Sequence, residues 1–309
     1  MHYIKKTGQF DSSNGTHKIH YYVYTPVQEP RAVLQLSHGM CEYLERYEPF
    51  ASFLTRNGVL LCGSDHLGHG KSAGSLENLG YFAEKDGWKC LVEDQYRLTQ
   101  TIKAHYAGLP YFLFGHSMGS FIARAYLTKY ASQLDGALIC GTSGGEKLGG
   151  LGIALTGRIM RSKGPFYRSA KLQDLAFGQY NKRYEDAKTD FDWLTRDESI
   201  VHRYMHDPYC NFVFTASGFR DLFTLLKFVS RRRWAYAIPK DLPVLLLSGD
   251  MDPVGDYGRG VRKVYERLQK AGLDDVRLKL YPGARHEILN ETNCKEVYAD
   301  VLAWIENVL

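Results

Sequence analysis

Ten consecutive residues constrain this chain more than any others: Tyr111-Phe112-Leu113-Phe114-Gly115-His116-Ser117-Met118-Gly119-Ser120. Four apolar residues run straight into Gly-His-Ser-Met-Gly, and from Phe121 to Leu127 the apolar residues recur at helical spacing. The stretch reads as a buried strand, a sharp turn and a helix. Gly115 and Gly119 leave the turn free of side chains that would clash as it closes. Ser117 is then lifted out at the C-terminal edge of a sheet, above a helix N-terminus whose N–H groups favour developing negative charge. Gly and Ser are common residues, so the pentapeptide alone carries little weight. The strand before it and the helix after it make the case.

The rest of the chain supplies the sheet this turn requires. Residues 17–24 alternate and are β-rich, and read as an antiparallel strand at the start of the sheet. Strands follow at 31–37, 59–62, 111–115, 136–140, 243–248 and 276–281. Helical spacing runs from Glu42 to Asn57 and stops at Gly58; further helices are expected over 84–106, from 117, over 259–271 and over 295–309. Short apolar strands alternating with helices predict a mostly parallel sheet covered on both faces. Between Gly141 and about Ile238 the rhythm stops, and it resumes at Pro243. The expectation is therefore one core formed by residues 1–142 and 237–309, with 143–236 inserted as a helical cap over the strand C-termini.

A serine hydroxyl needs a base to take its proton and an acid to orient that base. On an α/β-hydrolase scaffold these follow in the order Ser, Asp or Glu, His, in loops after strands. His286 fits the base: it follows the last strand and is the single histidine beyond residue 206. Asp250, Asp252 and Asp256 all follow the strand at 243–248, and spacing does not choose among them. For the oxyanion hole, Met118 N–H follows the nucleophile, and Met40 N–H in His38-Gly39-Met40 is the second candidate. His66-x-x-His69 has no third ligand at metal-site spacing, and Gly68 and Gly70 lack the rest of a phosphate loop, so neither a metal nor a cofactor is expected.

Taken together, His38 to Tyr47, Asp65 to Ser72, Gly115 to Gly119, Gly249 to Asp252 and Arg285-His286-Glu287 resemble the monoacylglycerol lipase-like branch of the α/β-hydrolases, which includes serine aminopeptidase and lysophospholipase-like members. The resemblance implies an α/β-hydrolase fold, Asp252 as the acid, Met40 and Met118 as oxyanion donors, and Glu42 and Arg46 as supports of the oxyanion loop. It implies a serine esterase acting through an acyl-enzyme on monoacylglycerols, lysophospholipids or similar acyl esters. Amide or peptide cleavage, thioester hydrolysis and acyl transfer are the neighbouring chemistries on the same triad. Two positions depart from the pattern: Met40 stands where the family often has a small residue, and Tyr43 where it often has His.

Composition bounds the remaining choices. The 309 residues carry a formal charge of +5, and the one basic block, Arg231-Arg232-Arg233, reads as a solvated face, so no nucleic-acid partner is expected. Residues 143–236 hold 16 Lys and Arg against 10 Asp and Glu, and 8 of the 15 Phe, with apolar stretches at 148–155 and 222–229. Such a segment suits a lid lining an acyl pocket, with transient contact at an anionic membrane surface. For most of its residues a solvated outer helical face is the plainer account. The start Met1-His2-Tyr3-Ile4-Lys5-Lys6 lacks a signal-peptide core, no apolar run is long enough to span a bilayer, and six cysteines are scattered without framework spacing. A cytoplasmic protein with free thiols is expected.

Overall fold

A computed structural model describes residues 3–145, 149–185 and 187–309. The cap charges counted at Glu146, Lys147 and Asp186, and the apolar Leu148, lie outside the described residues.

The sheet begins with β1 (Tyr3–Asp11), β2 (Lys18–Pro26) and β3 (Ala32–Ser37). Helix α1 (Glu48–Arg56) leads to β4 (Val59–Ser64), and α2 (Gly87–His105) to β5 (Tyr111–His116). Helix α3 (Met118–Tyr130) follows at once, then β6 (Gly136–Cys140). Five helices come next: α4 (Gly149–Lys163), α5 (Ala170–Phe177), α6 (Glu198–His206), α7 (Ala216–Ser230) and α8 (Arg233–Tyr236). The sheet resumes with β7 (Val244–Gly249), α9 (Arg259–Lys270), β8 (Val276–Tyr281) and α10 (Cys294–Val308). The strand order is β1-β2-β4-β3-β5-β6-β7-β8; β1 and β2 are antiparallel to their neighbours and every pairing from β4 to β8 is parallel.

The central strands read as unbroken apolar runs because both faces are covered. Along β5, Tyr111 and Leu113 point into the core shared with α2, α3 and α9, while Phe112 and Phe114 point into the core shared with α1 and α10. Leu98, Ile122 and Val264 fill the first, and Phe50, Val297 and Trp304 the second. These two layers hold the strand ends, and therefore the loops after them, at fixed separation.

Two elements differ from expectation. The sheet starts one strand earlier, because β1 pairs along its whole length with β2, from Tyr3 opposite Pro26 to Asp11 opposite Lys18. An edge strand buries too little to show alternation, and Ile4 is among its exposed residues. The helix expected from Glu42 also starts later. Glu42 turns its carboxylate inward to the Gly39 N–H, Asp65 accepts the Leu44 N–H at 3.0 Å, and a 3₁₀ turn at Leu44–Tyr47 precedes α1. Pro49 then sits in the first turn of α1, where its missing N–H costs nothing.

At the base of the helices between β6 and β7 a single side chain ties them to the core. Arg124, fully buried on α3, donates from Nη1 to Ser143 O (2.9 Å) and Thr142 Oγ1 (3.2 Å), and from Nη2 to Val229 O. Its guanidinium also lies 4.5 Å from the Trp234 ring centre on α8. One side chain thus grips the chain where it leaves the sheet and near where it returns.

Candidate active site

Ser117 occupies the turn between β5 and α3 with φ +54° and ψ −120°, a conformation costly for a residue with a side chain. The turn is as tight as the sequence requires. A Cβ on Gly115 would lie 2.4 Å from Gly119 O, and one on Gly119 would lie 1.9 Å from Ser37 O. The strained backbone is held from both sides: Ser117 N–H donates to Cys140 O (3.0 Å), and Ser117 O accepts from Ser120 N (2.9 Å) and Ser120 Oγ (2.6 Å).

Of the three aspartates after β7, Asp252 meets the histidine. His286 Nδ1 lies 2.9 Å from Asp252 Oδ1, and both side chains are buried. Val254 N–H donates to the same Oδ1 at 2.8 Å and Ser248 Oγ to Oδ2 at 3.3 Å, which fixes the carboxylate plane. A carboxylate only accepts, so the hydrogen on Nδ1 faces Asp252 and the Nε2 lone pair is left free. Asp250 instead accepts the Gly283 N–H at 2.7 Å, and Asp256 pairs with Arg259 at 2.7 Å on the surface.

The loop carrying Met40 lies against Ser117: a Cβ on Gly39 would be 3.0 Å from Ser117 Cβ. Beneath it is a charge cluster. Arg46 Nη1 bonds Glu42 Oε2 and Glu287 Oε1, and Nη2 bonds Glu287 Oε2, each at 2.8 Å. Glu42 Oε1 accepts from Tyr47 Oη (2.8 Å) and faces His116 Nδ1 (3.2 Å); His116 Nε2 faces His286 O at 3.3 Å. Burial pushes the Glu42 carboxyl up, but His116 and Arg46 outweigh it and hold it below the usual carboxylate range. Burial opposes charge on His116, yet Glu42 raises its pKa above the ordinary value. The cluster ties the Met40 loop, the residue before Ser117 and the His286 loop into one unit.

His66 and His69, the pair that superficially suggests a metal, are buried. His66 Nε2 lies 3.1 Å from His38 O, and His69 Nδ1 lies 3.0 Å from Leu67 O. Burial lowers the pKa of both, that of His69 to about 3, so both are neutral packing groups.

A cavity of about 830 Å³ opens over Ser117, with Met40, Met118 and His286 in its wall. Its apolar lining comes largely from the inserted segment, including Phe177, Phe191, Leu222, Phe223 and Leu226. The inserted segment also clasps the loops that carry His286 and Asp252. Trp193 packs its ring 5.1 Å from that of His286, Leu194 O accepts the Glu287 N–H at 2.7 Å, and Tyr184 Oη donates to Met251 O.

The family model described as serine aminopeptidase, S33, matches residues 28–293. The chain belongs to this family. As a serine aminopeptidase S33-type α/β-hydrolase it is 30% identical over 289 residues to a monoacylglycerol lipase of Mycolicibacterium smegmatis, covering 93% of this chain and 92% of that one. It is 27% identical to the human monoglyceride lipase over 91% of this chain and 84% of the other. A thermostable carboxyl esterase from Bacillus coagulans, solved with glycerol bound, superposes with a TM-score of 0.92 at 31% identity, with 98% of each chain covered. The resemblance read from the motifs and the expected hydrolase class and fold are borne out. Sequence reasoning missed His116, Tyr47 and Trp193. His116 stands inside the serine motif and was read only as part of the turn. Trp193 and Tyr184 had no signal, since nothing near them in the sequence is periodic.

Proposed function

We propose that this family member is a serine carboxylic ester hydrolase that works through an acyl-enzyme, with monoacylglycerols, lysophospholipids or similar acyl esters as substrates. Ser117 Oγ attacks the ester carbonyl while its proton passes to His286 Nε2. Asp252 holds the Nδ1–H and stabilises the imidazolium that forms. The Met40 and Met118 N–H groups receive the oxyanion. When the carbonyl reforms, the alcohol departs with the proton from His286 and leaves the acyl group on Ser117. A water molecule, giving its proton to His286, then attacks the acyl-enzyme; Ser117 recovers the proton as the acid leaves.

The observation that carries this reading is the buried 2.9 Å contact between His286 and Asp252 at the wall of the cavity that also contains Ser117. The ester class is supported by the relatives, whose names are monoacylglycerol lipase and carboxyl esterase. The apolar lining and volume suit an acyl chain rather than a peptide. In this reading the segment 143–236 is a cap. It places Leu151, Phe166 and Leu175 on its exposed surface, where they are available to a lipid interface. Among the described residues no helix is long and apolar enough to cross a membrane.

The test is hydrolysis of a p-nitrophenyl ester series and a monoacylglycerol by wild type and Ser117→Ala, with matched amides alongside. The variant is expected to lose at least about 10³-fold in kcat, and a fluorophosphonate to label wild type alone. Amide turnover matching ester turnover would replace the reading with the peptidase chemistry in the family's description.

A further inference from the structure

Several cations in this molecule are answered by carboxylates. Arg46 has Glu42 and Glu287, Arg196 has Glu291, Arg277 has Asp275, and Lys279 has Glu296 and Asp300. A second cavity, of about 280 Å³, gathers cations with little such pairing. It lies between α8 and α9, is lined by Arg232, Tyr236, Lys263, Glu266, Arg267 and Lys270, and shares no lining residue with the catalytic cavity. Its single carboxylate, Glu266, pairs with Lys270 at 3.9 Å. Arg232, Lys263 and Arg267 form no ion pair among the described residues.

Lys263, Arg267 and Lys270 fall on one face of α9, at spacings of four and three residues. Arg232 is brought to the same cleft from the start of α8. Arg267 Nη1 is buried with no hydrogen-bond partner among the described residues. Burial, and then the neighbouring Arg232 charge, both work against its protonated form. Arg267 and Lys270 lie in the last turn of α9, where cations complement the helix dipole. That accounts for neither Arg232 nor the orphaned N–H. Two guanidinium and two ammonium groups line one cleft with a single carboxylate among them, a lining suited to an anion whose several oxygens can accept from both forks.

We propose that the α8–α9 cleft is a binding site for a phosphate group, gripped by the Arg232 and Arg267 guanidiniums with Lys263 alongside. Guanidinium forks match phosphate oxygens, and the ammonium adds a point charge. The volume admits a phosphate with a small substituent, and the lining is too cationic for an acyl chain. The last turn of α9 leads toward the first residue of β8, whereas Ser117 and Asp252 follow strand ends. The site is therefore separate from ester chemistry. Its effect on the fold runs through α8, whose Trp234 stacks on Arg124 at the base of the insertion.

The full-length chain is titrated with inorganic phosphate by calorimetry at constant ionic strength, with chloride as the control. In parallel it is sedimented with phosphatidylcholine vesicles with and without phosphatidate. Saturable binding of free phosphate, weakened roughly tenfold for each lost guanidinium in Arg232→Gln and Arg267→Gln, is the expected result. Binding only to phosphatidate vesicles, lost in the same variants, assigns the phosphate to a lipid head group. Should Arg267→Gln fail to fold, the exposed Lys263→Glu reverses a charge in the cleft and must weaken binding instead. No binding in either arm, or binding unchanged in these variants, overturns the site.

Discussion

Arg46 lies under the Met40 and His286 loops between two carboxylates; Arg124 lies under the inserted helices among carbonyl oxygens and an indole. Both are largely withdrawn from water, and each joins segments far apart in sequence. Arg46 is held by charge, which makes its partners costly to expose singly and sensitive to protons. Arg124 is held by backbone dipoles that do not titrate. Burial, with a smaller push from Arg267, draws its own pKa down to about 9, with no acid to oppose it. The cluster around Arg46 is thus tunable by pH near neutrality, and the anchor of the inserted segment is not until the pH approaches about 9.

The comparison is sharpest when one partner is removed. Arg46→Met strands Glu42 and Glu287 without their cation and is expected to destabilise the fold by about 3–5 kcal/mol, read by chemical denaturation. Adding Glu42→Gln and Glu287→Gln in the same chain should recover much of that loss. If it does not, packing rather than charge holds the region. Arg124→Met leaves two carbonyls to find water and is expected to cost less, about 2–3 kcal/mol, with the same cost at every pH from 5 to 7, well below the Arg124 pKa of about 9. A pH-dependent cost at that site would erase the distinction drawn above.

Proton titrations give smaller effects. The His116 pKa is raised in the fold, so its contribution is complete below its unfolded value, near 6.5, and is lost as pH rises through the folded value. Glu42 is depressed, so its contribution is present above the ordinary carboxylate range and is lost as pH falls through the lower folded value. Denaturation midpoints of wild type should decline on both limbs, and His116→Gln should flatten the alkaline one. The smallest effect is expected at Asp221 on α7, whose carboxyl is pushed up to about 7 chiefly by burial against the start of α2. Stability from its protonated form is present below about 4 and lost as pH rises through about 7. Asp221→Asn keeps an acceptor for the Gly87 and Trp88 N–H groups, so it should melt higher than wild type at pH 8 and not at pH 5.

The core and the reacting groups were legible because their signals are local. Ser117 is announced by its own strand and helix, His286 by its place after the last strand, and the parallel sheet by apolar runs such as 111–114 and 244–247. Asp252 was separated from Asp250 and Asp256 in the sequence only by resemblance; in the fold, the hydrogen bond to His286 does it. What was illegible depends on chain segments that meet from a distance. Trp193 against His286, Glu287 across to Arg46, and Arg124 reaching Val229 leave no periodic trace. The edge strand β1 was hidden for a different reason, since it takes its order from pairing with β2 rather than from burial.

The Arg124 junction has a consequence for how such a molecule can be rebuilt. Ser143 O and Val229 O are reached by the two amino groups of a single guanidinium, so the ends of the stretch between them lie side by side. A stretch closed in that way pays little for its length: doubling the number of residues costs only about 0.6 kcal/mol in closure entropy. Helices of another size or number can be grafted between these two points while the sheet keeps its spacing, provided that the contacts of Trp193, Leu194 and Tyr184 to the His286 and Met251 loops are kept. The scaffold is in effect a socket, and what is plugged into it lines the cavity over Ser117.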